Sequence, residues 1–243
     1  MTIATTSESI TNLQADAIIV GLSGSELQGS AAELNQATSG GLQSLLDSGQ
    51  AKTKVAATTF WLQPSGINTK VVILVGLGEN PTAGDCFKAG GAAAKAIANK
   101  QISSAAFYFP ELDCPQLESA VAGSIVGCTG QDLHKKTKSL YAPEQILWAT
   151  SNTEAVANGE KIGTGVNLTR ELVNQPPNYI YPESFADQAA QLAELNNVTV
   201  EIWDQARLEA ENCGSLLGVA QGSDKEPRLM IIRYTGSSAE NPH

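Results

Sequence analysis

Apolar residues along the chain gather in short runs that predict buried strands. Residues 15–22 and 70–77 are apolar runs except for Asp16 and Lys70 near their starts, which is typical of strands covered on both faces. Residues 55–62 alternate and are rich in β-branched side chains. The turn sequence Pro64-Ser65-Gly66 separates them from residues 70–77, so we expect these two strands to pair as a hairpin. Further strands are predicted at residues 104–109, 144–150, 198–203 and 228–234.

Helical segments alternate with these strands. Ser30 and Glu33 have the spacing of a capping box, which predicts a helix that is broken or loosened at Gly40-Gly41. Ser151 and Glu154 have the same spacing at the start of a long helix. Other helices are predicted at residues 85–100, at 115–127, at 183–195 after Pro182, and in a short segment capped by Asp204. The alternation of strands and helices indicates an α/β layered protein.

The character of the sequence changes near residue 150. The long helix that follows ends at Pro176-Pro177, because prolines cannot donate backbone hydrogen bonds. We therefore predict two domains, residues 1–150 and residues 151–243.

Composition and charge narrow the range of functions. The chain has 243 residues, of which 42% are hydrophobic and 16% charged, and its formal net charge is −10. This balance argues against nucleic acid and anionic membranes as partners, since both favour a basic surface. No apolar run approaches the roughly 18 residues of a membrane span, and residues 1–10 do not resemble a secretion signal.

Cysteine usage points to a reducing compartment. The four cysteines form no C-x-x-C pair, so we expect reduced thiols, no disulfides and a cytoplasmic location. Small buried hydrophobic side chains are the simplest interpretation of Cys86, Cys114, Cys128 and Cys213.

Two glycine segments follow predicted strands and were tested as phosphate loops. Residues 21–24 (GLSG) and 76–78 (GLG) could let backbone N–H groups approach an anion. Neither continues as G-x-G-x-x-G, and no G-K-[ST] follows, so we interpret both as tight turns.

No catalytic centre is visible from residue types and spacing. The histidines are His134, in a charged stretch interpreted as solvated surface, and His243; no H-E-x-x-H or G-x-S-x-G occurs. The acidic residues are dispersed, and the lysines at 135, 136 and 138 are interpreted as a surface loop. We therefore assign no catalytic, metal-binding or substrate-binding residue to the chain.

An ordered set of segments resembles the leucyl aminopeptidase family, the cytosolic two-metal peptidases. The most specific segment is residues 165–178 (GVNLTRELVNQPPN), which is similar to the family's signature at the entrance to the catalytic domain. The other segments, in chain order, are residues 16–21 (DAIIVG), 29–34 (GSAAEL), 70–78 (KVVILVGLG), 88–95 (KAGGAAAK), 214–223 (GSLLGVAQGS) and 227–234 (PRLMIIRY).

The resemblance implies a fold, an activity and an assembly. It implies that residues 1–150 form a macro-domain-like, three-layer α/β domain, and that residues 151–243 begin an α/β catalytic domain that is incomplete. It also implies release of N-terminal amino acids from peptides, with leucine favoured, by a homo-hexamer. Two divalent metal ions, manganese or zinc, would polarise the scissile carbonyl and supply a bound hydroxide.

The family's metal-binding motifs, V-G-K-G-x-x-F-D-S-G-G and N-T-D-A-E-G-R, do not occur in residues 1–243. We therefore expect a truncated chain that binds no metal and is inactive by itself. Two alternatives remain open at this point: a non-catalytic macro-like module that binds a nucleotide such as ADP-ribose, and an assembly or regulatory subunit.

Overall fold

The computed structural model describes residues 1–24, 26–100, 102–130, 132 and 134–236. They form two compact units, Met1–Arg170 and Glu171–His243, of which the second is described as far as residue 236.

A six-stranded sheet forms the centre of the first unit. The strand order is β1-β6-β5-β2-β4-β3, and every neighbouring pair is parallel except β3 with β4. The antiparallel β3–β4 pair confirms the predicted hairpin. The strands are β1 (Thr2–Thr6), β2 (Ala17–Ser23), β3 (Thr58–Leu62), β4 (Val71–Gly78), β5 (Ser104–Tyr108) and β6 (Gln145–Ala149).

Helices cover both faces of this sheet and complete a three-layer arrangement, which confirms the predicted α/β class. Ile18 and Val20 of β2 pack in one core with Leu34 and Leu42 of the first two helices. Ile19, between them, belongs to the opposite core, as expected for side chains that alternate along a strand. The helices are α1 (Gly29–Ala37), α2 (Gly41–Asp47), α3 (Ala83–Ala98), α4 (Cys114–Cys128) and α5 (Thr153–Asn174), which begins in this unit.

Three helices on the second face approach one another through glycines. A Cβ built on Gly123 of α4 would lie 2.1 Å from the Phe87 carbonyl oxygen of α3, and one on Gly90 would lie 2.2 Å from the Ala120 carbonyl oxygen. Gly159 of α5 is similarly close to the Glu118 carbonyl oxygen, at 2.6 Å. These distances leave no room for a side chain, so the packing of the three helices depends on glycine at these positions.

The second unit is built around a short antiparallel sheet. Its strands β7 (Val198–Trp203) and β8 (Leu229–Tyr234) pair with each other. Ala186, Ala189, Leu208 and Pro227 are its buried apolar residues in the described part of the unit. The helices are α6 (Pro182–Ala190), a 3-10 helix (Gln191–Glu194), α7 (Gln205–Ala210) and α8 (Gly214–Ala220).

Two predicted helix caps are wrong, although the helices themselves form. The residue before α1 is Gln28, which makes no side-chain capping bond, and Glu33 instead accepts a hydrogen bond from Thr11. At α5 the cap is Asn152 rather than Ser151, since its Oδ1 accepts from the Ala155 N–H at 3.0 Å. Among the described residues, none of the helices has the length and apolar content that a membrane span requires.

Candidate functional site

A cleft with a volume of about 660 Å³ opens at the carboxyl ends of the central parallel strands. It is bounded by segments that follow β2, β4 and β5, and β2 lies between the other two strands in the sheet. Ligands of open α/β sheets bind outside the carboxyl ends of the strands, where the order of the strands reverses. This cleft is therefore the candidate site of the first unit.

The amino-terminal ends of α3 and α4 are joined beside this cleft. Thr82 and Asp85 form a capping box at α3, and Asp113 and Gln116 form another at α4. The Gln116 side-chain amide also donates to the Pro81 carbonyl oxygen at 2.7 Å, which links the two helix ends. The helix-end donors that these caps satisfy are not free to bind a ligand.

The described residues that line the cleft carry negative charge. Glu26, Glu79 and Glu111 are exposed on its walls, and none of the described lining residues is a lysine or arginine. A diphosphate placed here would meet like charges without a compensating cation. The composition of the walls therefore disfavours a nucleotide such as ADP-ribose.

The glycines tested as phosphate loops serve packing instead. A Cβ on Gly21 would lie 2.8 Å from Leu77 Cδ1, and one on Gly76 would lie 2.0 Å from the Lys54 carbonyl oxygen. The backbone N–H of Gly76 donates to Ala57 and that of Gly24 donates to Gly78, so neither points freely into solvent. Gly21 and Gly76 also lie within β2 and β4, so the predicted turns begin later than expected.

The thiols of α3 and α4 do not form a nucleophilic centre. Burial raises the pKa of Cys86 to about 11 and that of Cys128 to about 12, so both are protonated near neutral pH. Cys114 is exposed at the first residue of α4, where its sulfur accepts a hydrogen bond from the Asn152 amide at 3.2 Å. His134 lies outside the cleft lining, and His243 lies outside the described residues.

The burial of Asp132 contradicts the interpretation of its charged stretch as solvated surface. Residues 132–136 were interpreted as solvated surface, but Asp132 is only 6% exposed. Its Oδ2 accepts from the Ser139 hydroxyl at 2.6 Å and from the Ser139 backbone N–H at 2.5 Å, and Lys135 lies 3.3 Å from its Oδ1. The Ser139 hydroxyl, the Ser139 N–H and Lys135 together hold the pKa of Asp132 far below its usual range. The Asp132 carboxylate is therefore not a solvated surface group, and it holds the lysine-rich loop through its contacts with Ser139 and Lys135.

Two side chains of the segment 165–178 (GVNLTRELVNQPPN) fix the carboxyl end of α4. Arg170 donates from its guanidinium to the Val126 and Thr129 carbonyl oxygens, both at 3.1 Å. Asn167 donates to the Ile125 carbonyl oxygen at 3.3 Å. The last carbonyls of a helix have no partners within the helix, so these two side chains supply them. Within the first unit, Asn167 and Arg170 thus have a structural role.

Family models match both parts of the chain in order. The N-terminal domain of the cytosol aminopeptidase family matches residues 18–138, and the catalytic domain of the same family matches residues 167–243. The chain belongs to the cytosol aminopeptidase family. This confirms the family that the ordered segments indicated, which is a family of hydrolases.

Curated members of the cytosol aminopeptidase family are similar over most of the chain. A probable cytosol aminopeptidase of Rhodopirellula baltica is 36% identical over 177 residues, which are 72% of this chain and 35% of that protein. One from Stenotrophomonas maltophilia is 32% identical over 240 residues, which are 94% of this chain and 49% of that protein. The chain thus spans at most about half the length of these cytosol aminopeptidases.

Solved structures share the fold. A mutant of tomato leucine aminopeptidase superimposes with a TM-score of 0.82 at 18% identity, over 99% of this chain and 52% of that one. The bottromycin maturation enzyme BotP in complex with Mn gives a TM-score of 0.70 at 21% identity, over 91% of this chain and 46% of that one.

The cytosol aminopeptidase family is metal-dependent, so we tested the residues at hand for a metal centre. Within the part of the chain that the structure describes, no three His, Cys, Asp or Glu side chains are placed so that they could hold an ion. These residues do not fit a two-metal centre. Accordingly, no step of peptide hydrolysis is assigned to them.

Proposed function

We propose that this chain is the N-terminal portion of a leucyl-type metalloaminopeptidase, which releases N-terminal amino acids from peptides with a preference for leucine. The observation that carries this proposal is the order of the matches: both domains of one peptidase family occur along the chain, with the N-terminal domain first. The relatives named as probable cytosol aminopeptidases support the same activity and a cytoplasmic location.

The metal centre and the assembly belong to this proposal. We expect two divalent ions, manganese or zinc, and a homo-hexamer in the full-length form, with peptides as substrates. The described residues contain no cluster suited to an ion, so we expect that the 243-residue polypeptide binds no catalytic metal and is inactive alone. In our proposal residues 1–150 form the macro-like domain, and residues 151–243 belong to the catalytic domain.

An assay of leucine amide hydrolysis with the purified polypeptide tests the expectation that this polypeptide is inactive alone. The sample is assayed with added Mn²⁺ and, separately, with Zn²⁺, and circular dichroism verifies that it is folded. We expect no release of leucine above the metal-only blank. Metal-dependent turnover at a rate that scales with polypeptide concentration would show that a functional centre exists within these residues.

A chimera tests the peptidase assignment directly. The chain is joined to the remaining catalytic segment of the Stenotrophomonas maltophilia relative, which aligns with 94% of it. We expect metal-dependent release of leucine from leucine amide and slower release of an acidic N-terminal residue. A folded chimera that binds metal but releases no amino acid would refute the proposal.

A further inference from the structure

The edge strand β3 offers backbone hydrogen-bonding groups to a further strand. It pairs with β4 on one side only, and no other described strand lies beside it. The Gln63 N–H donates to the Lys70 carbonyl oxygen at 2.8 Å, so Gln63 and the odd-numbered residues of β3 bond to β4. Because alternate residues of an antiparallel pair face the partner, the N–H and carbonyl groups of Thr58, Phe60 and Leu62 point away from the sheet.

Exposed apolar side chains accompany these outward backbone groups. Phe60 and Leu62 lie on one face of the sheet, since they alternate along the strand, and they are 40% and 66% exposed. The β3 sequence (TTFWL) contains no charge and no proline, and its β-branched, aromatic and aliphatic residues favour strand pairing. The opposite edge strand, β1, exposes only the smaller Thr2 and Ala4, so β3 is the edge with apolar area to cover.

Four exposed lysines lie around this edge. Lys52 and Lys54 precede β3, and the backbone of Lys70 bonds to the residue that follows it. The Lys100 ammonium lies 5.6 Å from the centre of the Phe60 ring. Within the described residues, none of these four lysines forms an ion pair with a carboxylate. Their charges are therefore available to a partner.

The charge at this edge is opposite to that of the whole chain. The chain has a net charge of −10, yet residues 48–78 contain no aspartate or glutamate. The acidic residues that flank this segment in sequence make other contacts, since Asp47 accepts from the Gln43 side chain at 2.8 Å and Glu79 lines the cleft. Asp16 precedes β2, which β4 separates from β3. The outer side of β3 is therefore a positive site on an acidic protein.

We propose that β3 binds an extended acidic segment of another protein as a seventh strand of the sheet. In complexes of this kind, main-chain hydrogen bonds to the exposed edge give affinity and alternate side chains give specificity. Apolar side chains of the segment would lie beside Phe60 and Leu62, and its carboxylates would pair with Lys54, Lys70 and Lys100.

Charge and chemistry select this occupant over two others. A second copy of the chain would bring its own lysines to the same edge, and lysines beside an edge discourage pairing between strands of like charge. A nucleic acid would neutralise the lysines but would leave the outward carbonyl groups of β3 and its apolar side chains uncovered. An acidic strand satisfies the lysines, the backbone groups and the apolar side chains together. The site lies wholly within the first unit, so its test does not depend on the proposed peptidase activity.

Fluorescence anisotropy with a labelled synthetic peptide tests this proposal. The peptide DEVTVTVED presents its valines on one face of a strand and carries carboxylates at both ends. We expect saturable binding with a dissociation constant on the order of 100 μM, because a contact of one strand is small. Added salt should weaken this binding. The peptide KKVTVTVKK should not bind. DEVTVTVED with N-methylated valines should bind at least about tenfold more weakly, because it lacks the donors that face β3.

A charge-reversed variant tests the lysines. Lys54→Glu combined with Lys70→Glu and Lys100→Glu should lower the affinity for DEVTVTVED at least about tenfold, and this variant should bind KKVTVTVKK instead. The matched control reverses three exposed lysines elsewhere in the same unit, by Lys136→Glu, Lys138→Glu and Lys161→Glu. This control should bind DEVTVTVED within about twofold of the wild type. A control that loses as much affinity as the variant would show that only the net charge matters and would overturn the proposal.

Amide hydrogen exchange of the wild type, followed by NMR, locates the bound peptide and needs no substitution. With DEVTVTVED bound, the N–H groups of Thr58, Phe60 and Leu62 should exchange more slowly, whereas those of Thr59 and Trp61, which already bond to β4, should change little. Absence of binding, binding of KKVTVTVKK by the wild type, a charge-reversed variant that keeps its affinity for DEVTVTVED, or protection that does not alternate along β3 would each overturn the proposal. A thymidine oligonucleotide that binds more tightly than the peptide at the same salt concentration would assign the lysines to nucleic acid and would also overturn it.

Discussion

Replacing Gly123 by alanine is expected to force α3 and α4 apart. The added Cβ would lie 2.1 Å from the Phe87 carbonyl oxygen. An unstrained contact between such atoms is about 3.3 Å or longer, so the helices must separate by roughly 1 Å. The obstacle is backbone, which cannot rotate out of the way as a side chain could. The strain therefore spreads to the whole contact between the two helices.

The size of this effect follows from two opposed terms. Overpacking of a tight core costs about 1–3 kcal/mol, and an obstacle made of backbone belongs at the upper end. Alanine gains about 1 kcal/mol over glycine in a helix interior. We therefore expect Gly123→Ala to lower the free energy of unfolding of the first unit by about 2 kcal/mol. For a unit of this size that corresponds to a melting temperature lower by about 4–8 °C.

Gly165 provides the control for this experiment. It lies in α5 within the first unit, and a Cβ built on it meets no atom within 4 Å. Gly165→Ala should therefore stabilise the unit by about 0.5–1 kcal/mol. Thermal unfolding is followed by tryptophan fluorescence in a Trp203→Phe background, so that the remaining tryptophans, Trp61 and the buried Trp148, report on the first unit. If Gly123→Ala melts at or above the temperature of the parent while Gly165→Ala behaves as expected, the close-packing argument is wrong.

Three further predictions concern groups described above. Asp132 has a lowered pKa, so its carboxylate stabilises the folded chain above about pH 4 and this contribution is lost as the pH falls towards the lowered value. The difference in urea midpoint between wild type and Asp132→Asn should be complete at pH 7 and shrink towards pH 3; a difference that grows in acid would contradict this. Under native conditions iodoacetamide should modify Cys114 first and should modify Cys86 and Cys128 only on unfolding, as mass spectrometry of the peptides can verify. Rapid labelling of either buried thiol in the folded chain would argue against the packing of α3 and α4. Calorimetric titration with ADP-ribose should give only dilution heat, because the acidic cleft walls repel an anionic ligand. Saturable binding would show that the glutamates of the walls do not exclude such a ligand.

Continuous apolar runs predicted the central strands well, because a strand covered on both faces needs apolar residues at nearly every position. The short β1 strand was not predicted. Its five residues, Thr2–Thr6, carry no distinct pattern, and it forms by pairing with β6, more than 140 residues away in sequence. Such a pairing forms only when the sheet assembles, so it cannot be predicted from the local sequence of β1.

Capping and burial show the same division between local and distant causes. The Ser-x-x-Glu spacing occurs at Ser30, but Glu33 bonds to Thr11, 22 residues away, so the local pair does not form. The charged residues around Asp132 look like solvated surface in sequence, and only the folded loop brings Ser139 to the carboxylate. In the cleft, the sequence already favoured tight turns over an anion site at the glycines, whereas the glutamates that argue against an anion are scattered in sequence and line one cleft only in the fold.

The glycine contacts between α3, α4 and α5 also bear on how the chain can change by mutation. A clash between two side chains can be relieved when the second one becomes smaller. Here the atoms nearest to a Cβ at Gly123 or Gly90 are backbone atoms, with a carbonyl oxygen first, which every amino acid carries. A genetic screen for second-site suppressors of Gly123→Ala should therefore return reversion to glycine or distant stabilising changes, and no shrinking substitution at the facing residue, Phe87.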